Sequence, residues 1–368
     1  MKILMLNYEF PPVGGGAANA NYNLLKEFAK DKDIEIDLIT SSQDKFNFEA
    51  FSENIRVFKL DVKKENKHYW KMAELFRWSL KAYILSKKLI KNKRYNLCHC
   101  WFGWPSGLIG YKLRKKMPYI VALRGSDVPG YNTRLRSLDN ILFRPLSKKI
   151  WGSAENVIAN SDGLKRLASK TSNCKINVIY NGIDVQEFNP GYRTKKELRI
   201  LSTSRLIRRK GIKYLIGAIC DLKDVRLDIF GDGNLRTELE SLVSGRGIKN
   251  KVVFHGNIHH PELKRYYQEA DVFVLPSLNE GMSNSLLEAM ASGLAVITTD
   301  TGGTKELIKD NGFVVKKESS KAISEKLRLF ESKRDLVISM GKQSRKIAEN
   351  MSWKKTAERY WRIYDELA

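Results

Sequence analysis

The 368-residue sequence predicts an α/β protein built from two parallel-sheet domains. Three observations carry this. The chain exceeds the size at which a single hydrophobic core grows efficiently, so two cores are expected. Short runs rich in Val, Ile and Leu alternate with segments of helical period, the pattern of parallel strands covered on both faces. The alternation also begins afresh after Asn189-Pro190-Gly191.

Read in order, Ile3 to Asn7 is a strand, Pro11 to Gly16 a glycine-rich turn, the stretch to about Lys30 a helix, and Ile34 to Thr40 a second strand. This is a βαβ unit. Further strands are expected at 55–60, 96–102, 119–123, 156–160 and 175–180, with helical segments mostly between them, and residues 1–193 form the first domain. The second domain, 194–351, opens on RILSTSR at 199–205 and a helix from about Ile212. It continues through VRLDIFGDG, KVVFHG, DVFVLPS, LAVITT and GFVV. The last segment, 352–368, reads as a separate amphipathic helix with Trp353, Tyr360, Trp361 and Tyr364 available for burial.

Composition narrows the class. No stretch approaches the roughly 18 to 20 apolar residues of a membrane span, and Pro11 and Pro12 come too early for a signal peptide. A cytoplasmic protein is expected. Four cysteines without zinc spacing indicate reduced thiols. Cys98-His99-Cys100 could chelate through residues i and i+2 on one strand face, but YNLCHCWF reads as a buried strand. The formal net charge is +24, and between Lys63 and Arg94 there are 11 basic residues against Glu65 and Glu74 alone. Within that stretch WKMAELFRWSLKAYILSKKLIKNKR repeats apolar residues at helical spacing with lysines between. Such a helix suits an anionic membrane surface. It equally suits a core-packed helix whose solvated face is basic, and both readings stand at this level. No nucleic-acid motif accompanies the charge, so no nucleic-acid partner is expected.

The segment Asn279 to Gly303 carries the chemistry. The apolar run Asp271 to Leu275 reads as a buried strand ended by Pro276 and Ser277, and a loop with Glu280 and Gly281 follows. Ser283-Asn284-Ser285 favours a helix N-cap before LLEAMA, and Gly293 stops the helix. A helix starting near Ser285 would present unpaired N–H groups and a partial positive charge, an anion site that needs no basic side chain. Ser285-x-x-Glu288 is also a capping box, in which Glu288 would only bond back to its cap. Glu280, one turn earlier and beside Gly281, makes the alternative stronger: two carboxylates offering acceptors to sugar hydroxyls around a phosphate site.

Glu280 and Glu288, with seven residues between them and an E-A-M-A run on the second, resemble the donor signature of the retaining glycosyltransferases of family 4. The resemblance covers nearly the whole chain and implies a GT-B fold, two Rossmann-like βαβ domains facing a central cleft, with the C-terminal helix 352–368 returning to the first. It implies that Glu280 contacts the hydroxyls of the transferred hexose and Glu288 the ribose of the nucleotide. The backbone around Gly281, Met282, Asn284, Ser285, Leu286 and Leu287 would hold the diphosphate.

Ser204-Arg205-Leu206-Ile207-Arg208-Arg209-Lys210-Gly211 resembles the family's S-R-x-x-x-x-K-G motif, which implies that Arg205 and Lys210 neutralise the leaving diphosphate. Arg208 and Arg209 are expected to face solvent. Ile258, after HGN, is a candidate for the base through backbone atoms. Pro11-Pro12-Val13-Gly14-Gly15-Gly16 fails as a dinucleotide fingerprint for want of a third spaced glycine and of a ribose-binding acid. It fits the family's P-P-x-x-G-G loop, making Gly15 and Gly16 binding candidates, though glycines serving only a tight turn remain an alternative. Relatives often carry H-G-x-D beside the transferred sugar, whereas this chain has Arg124-Gly125-Ser126-Asp127. Arg124 cannot serve as a base, so Arg124, Asp127 and His99 on the preceding strand are the candidates on the sugar and acceptor side.

The expected activity is retaining transfer of a hexosyl unit from a UDP- or GDP-linked sugar to a lipid-linked or glycan acceptor in surface polysaccharide assembly. No cofactor and no metal are expected, and a location peripheral on the inner membrane face is compatible with the basic helix. The alternatives are a GT-B epimerase or phosphorylase, or a non-catalytic basic module binding membrane or nucleic acid.

Overall fold

The computed structural model describes residues 1–67, 69–131, 139–192, 197–258 and 260–367. Apolar runs with no polar face become central strands. The first unit, Met1–Asn181 with the segment from Trp353 onward, contains β1 (Lys2–Leu6), β2 (Glu35–Ser42), β3 (Asn47–Ser52), β4 (Ile55–Asp61), β5 (Leu97–Trp101), β6 (Tyr119–Leu123), β7 (Asn156–Ala159) and β8 (Ile176–Val178). They pair in the order β3-β4-β2-β1-β5-β6-β7-β8. β5 and β6 are buried along their whole length, as strands covered by helices on both faces must be. The helix Gly16–Phe28 packs against the closing helix Trp353–Asp365, with the rings of Phe28 and Tyr364 5.7 Å apart.

The second unit, Gly182–Ser352, has β9 (Leu198–Thr203), β10 (Val225–Phe230), β11 (Val252–Gly256), β12 (Val272–Leu275), β13 (Ala295–Thr299) and β14 (Gly312–Val315), in the order β11-β10-β9-β12-β13-β14. All its pairings are parallel. Each unit has its own apolar core.

Two expectations shift. β3 answers to no expected strand: it pairs antiparallel with β4 at the sheet edge and none of its residues is fully buried, so it lacks an apolar signal. The boundary falls after Asn181 instead of 193. Arg345 explains this, because its guanidinium donates to the carbonyls of Val185 (3.0 Å), Phe188 (2.5 Å) and Ala291 (2.7 Å), fixing the connecting segment to the second unit. The long basic helix lies within its expected stretch, running Met72–Asn92, and buries Leu75, Trp78 and Ala82. No helix among the described residues is long and apolar enough to cross a membrane.

The strand orders place the chemistry. In each sheet the direction of strand addition reverses once, between β1 and β5 and between β9 and β12. Ligands of open parallel sheets bind beyond the carboxyl ends of the strands at such a reversal.

Candidate functional site

In the second unit the loops leaving β9 and β12 adjoin at the reversal. The chain after β9 makes a short 3-10 turn, Arg208–Lys210, and turns at Gly211, whose φ of 66° lies in the left-handed region. A Cβ there would stand 2.2 Å from the Pro276 carbonyl oxygen. Glycine alone therefore lets this loop lie on the Pro276 loop. The Leu278 amide fastens the two by donating to the Arg209 carbonyl (2.7 Å).

That contact joins Lys210 to Glu280. The Lys210 ammonium donates to Glu280 Oε1, and Ser277 Oγ donates to the same oxygen (2.7 Å). Glu280 is 7 % exposed. Burial alone would raise its carboxyl pKa, but Lys210 and Ser277 outweigh it, and the carboxyl is held below the ordinary range. From the other side Gly302 and Gly303 close on the same backbone, the Gly303 amide donating to the Gly281 carbonyl (2.6 Å). A Cβ on Gly302 would lie 1.8 Å from the Glu280 carbonyl oxygen.

The helix after Glu280 spans Asn284–Ala291, and Ser283 is its cap, accepting from the Leu286 amide. It begins earlier than the expected start near Ser285. The Ser285 capping box is replaced by this Ser283 cap, and Ser285 Oγ lies 3.0 Å from Ser283 Oγ. The Glu288 carboxylate instead accepts from Tyr267 (2.9 Å), whose hydroxyl also meets Thr203 Oγ1 at 2.7 Å. Tyr267 is fully buried. Leu286 and Leu287 put their side chains in the core and Met282 is also buried, so what these three offer a ligand is backbone. Asn284 and Ser285 are half-buried, as are Arg205 and Lys210, while Arg208 is exposed. Arg209, expected to face solvent, is half-buried and adds to the positive field on Glu280. Ile258 is half-buried two residues beyond β11.

In the first unit the loop after β1 carries Gly14 at φ 106°, the position that requires glycine. Gly15 precedes the helix Gly16–Phe28, and a Cβ on it would meet nothing within 4 Å. The Glu9 carboxylate lies 3.4 Å from the Gly15 amide, which donates to it.

The three residues expected on the sugar side part company. His99 is fully buried. Its Nδ1 meets the Tyr364 hydroxyl at 2.7 Å, and its ring lies 5.1 Å from that of Tyr360. Burial, with Arg124 nearby, pushes its pKa well down, so the ring is neutral. His99 is thus a core residue under the closing helix. The Arg124 guanidinium carbon sits over Trp101, 3.6 Å from the ring centre, and the side chain donates to Asn181 (3.0 Å) and Tyr360 (3.2 Å). It ties that helix to the sheet. Asp127 accepts from the backbone amides of Gly103 (2.6 Å), Arg124 (3.0 Å) and Gly125 (2.9 Å). These bonds clip together the loops after β5 and β6.

The Cys98 and Cys100 sulfurs lie 3.6 Å apart and buried, while the intervening His99 turns to the opposite face. Among the described residues no group of three or more His, Cys, Asp or Glu could hold a metal ion. Sequence reasoning missed Glu9, Tyr267 and Ser277. Ser277 had a signal, lying three residues before Glu280 in one loop.

The chain is similar to known proteins in sequence and in fold. A family model described as Glycosyltransferase Family 4 matches residues 14–187, and one described as Glycosyl transferases group 1 matches 185–347. An uncharacterized glycosyltransferase of Methanocaldococcus jannaschii is 29 % identical over 99 % of this chain and 98 % of its own. A Bacillus subtilis glycosyltransferase assigned to teichuronic acid biosynthesis is 32 % identical over 64 % of this chain and 61 % of its own. Among solved structures, a sucrose-phosphate synthase from Thermosynechococcus elongatus superposes with a TM-score of 0.88 at 23 % identity, covering 100 % of this chain and 99 % of that one. The Anabaena protein HepE in complex with UDP-glucose does so with a TM-score of 0.77 at 17 % identity, covering 100 % of both chains. These two structures share the fold.

Proposed function

Because the chain belongs to the GT-B glycosyltransferases, family 4 and group 1, we propose that it transfers a hexosyl unit from a UDP- or GDP-linked sugar to an acceptor hydroxyl with retention. The observation that carries this is the meeting of Lys210 and Glu280 at the strand reversal. In this reading Lys210 supplies a cation to the leaving diphosphate and Glu280 a carboxylate to the sugar hydroxyls.

Arg205, Lys210 and the amides at the start of Asn284–Ala291 stabilise the charge growing on the leaving diphosphate. This work needs no metal. Both Glu280 bonds described above end on Oε1, and Oε2 accepts hydroxyls of the hexose and orients it. Glu288 accepts from the ribose. The bond from the anomeric carbon to the phosphate oxygen breaks as the acceptor oxygen bonds to the same face, and the acceptor proton passes to the departing phosphate. Neither glutamate acts as a covalent nucleophile. In the first unit, Gly15 and Gly16 remain binding candidates of this reading. A relative assigned to teichuronic acid biosynthesis favours a glycan or lipid-linked acceptor of surface polysaccharide assembly.

The test is a screen of nucleotide sugars read by nucleotide release, with and without acceptor and chelator. Acceptor-dependent release of UDP or GDP that survives chelation is expected. Loss on chelation would overturn metal independence. Donor conversion without acceptor would indicate an epimerase, and dependence on inorganic phosphate a phosphorylase. Failure to bind any nucleotide sugar would reduce the chain to a binding module.

A further inference from the structure

The helix Met72–Asn92 buries one face through Leu75, Trp78, Ala82 and Ser86. A second apolar row remains outside. Met72, Phe76, Leu80 and Ile84 recur every fourth residue and are 63 %, 71 %, 52 % and 59 % exposed. Residues at that spacing share one helix face, so they form a continuous stripe about 18 Å long. A solvated helix face carries polar residues there.

Cations border this stripe. At 100° per residue, Arg77, Lys81 and Lys88 fall along one flank, while Lys87 and Lys91 continue the line beyond Ile84. All five are exposed, and among the described residues none pairs with a carboxylate. Lys81 donates to the Asp61 carbonyl (2.8 Å), which steadies its stem without neutralising it. The one acid of the helix, Glu74, is buried on the inner side against Lys64 (2.8 Å). The outward face therefore offers apolar side chains and positive charge with no negative group.

We infer that this face docks the protein on an anionic lipid bilayer, with Phe76 and Leu80 at the boundary of headgroups and acyl chains and the lysines on lipid phosphates. Three features select that occupant. The stripe is a single row on a convex helix, suited to sinking into a fluid surface. Its bordering cations complement anionic headgroups, each strengthening attraction near the surface. A second copy of the chain is disfavoured, because two such faces would oppose like charges in a protein of net charge +24. The inference rests on the first unit alone and holds whether or not the proposed transfer reaction does.

The experiment is flotation of the full chain with phosphatidylcholine vesicles, with and without phosphatidylglycerol, at about 0.15 M salt. The wild type floats only with the anionic vesicles. The Phe76→Ser/Leu80→Ser variant loses partitioning by about tenfold or more, and the Lys87→Glu/Lys88→Glu variant loses the preference for phosphatidylglycerol. All four positions are exposed, so an unchanged melting temperature confirms that folding is intact. Wild-type protein that ignores anionic vesicles, or variants that float as well as wild type, would overturn the inference. So would binding of an acidic protein through this face without vesicle binding. Nucleotide release to a short water-soluble acceptor is read separately on the same proteins. A chain that floats but does not transfer refutes the enzymatic reading alone, and one that transfers but does not float refutes the docking surface alone.

Discussion

A carboxylate as buried as Glu280 stays ionised because Lys210 and Ser277 share its Oε1. Replacing Lys210 with Ala leaves that charge without its counter-ion, and such a loss costs about 3–5 kcal/mol in buried pairs. Lys210→Ala should therefore lower stability in chemical denaturation as well as abolish transfer. Glu280→Ala should lower the rate by about 10²-fold or more while calorimetry still detects nucleotide binding, and a fully active variant would refute its role. The pair also fixes a sign with pH. Its stabilisation is present above the ordinary carboxylate pKa and is lost as pH falls through the lowered folded value. Arg124 is a different case, since its guanidinium sits over Trp101 and bonds Tyr360. Arg124→Ala should destabilise the first unit by about 1–3 kcal/mol and leave nucleotide affinity unchanged by calorimetry. The positions of Glu280, Lys210 and Arg205 in loops beyond β12 and β9 were legible, because the apolar runs before them mark the strand ends. The burial of His99 and the anchoring of Arg124 were not, because their partners Tyr360 and Tyr364 come more than 230 residues later.

At the scale of elements, the start of the helix Met72–Asn92 depends on Glu74. Its carboxylate accepts from the Lys71 amide (2.8 Å), the Glu65 amide (3.2 Å) and the buried Lys64 ammonium (2.8 Å). Glu74→Ala should cost about 3–5 kcal/mol by stranding Lys64, and hydrogen exchange should show the first helical turns opening before the rest. β2 and β4 are held by a similar device, the bidentate Arg56 and Asp37 pair (both contacts 2.7 Å) with the Tyr95 hydroxyl on the same carboxylate. Burial raises the pKa of Asp37 and Glu74, yet their partners prevail and both carboxyls lie below the ordinary range. The first unit should therefore keep its melting temperature from neutrality down to roughly pH 4 and lose it below as these groups take up protons. Flat stability through that range would contradict the assignment. Most strands were legible from apolar runs. β3 was not, because Asn47–Ser52 acquires its conformation only by pairing with β4, and the Ser283 cap could be told from Ser285 only by which hydroxyl reaches the Leu286 amide.

On the scale of the whole molecule, the first unit is made from two separate stretches, Met1–Asn181 and the segment from Trp353 onward, and cannot be completed until that segment is synthesised. Within that helix Tyr360 and Tyr364 are almost wholly buried, covering His99, Arg124 and Phe28. The second unit needs nothing from this segment: its core is separate, and Arg345 pins its connecting segment internally. A chain ending at Ser352 should therefore melt in two steps by calorimetry, the first unit unfolding well below its full-length temperature and the second at its own. Removing two large buried aromatics costs about 3–5 kcal/mol each, a large share of what a domain has in total. The separated melt predicts a division of function as well. Nucleotide binding should survive in the truncated chain, because Arg205, Lys210, Glu280 and Glu288 all belong to the second unit, while transfer should vanish with the first. A truncated chain that melts in one step at the full-length temperature would show that the closing helix is dispensable. One that loses nucleotide binding together with the first unit would show that the donor site draws on residues outside Gly182–Ser352.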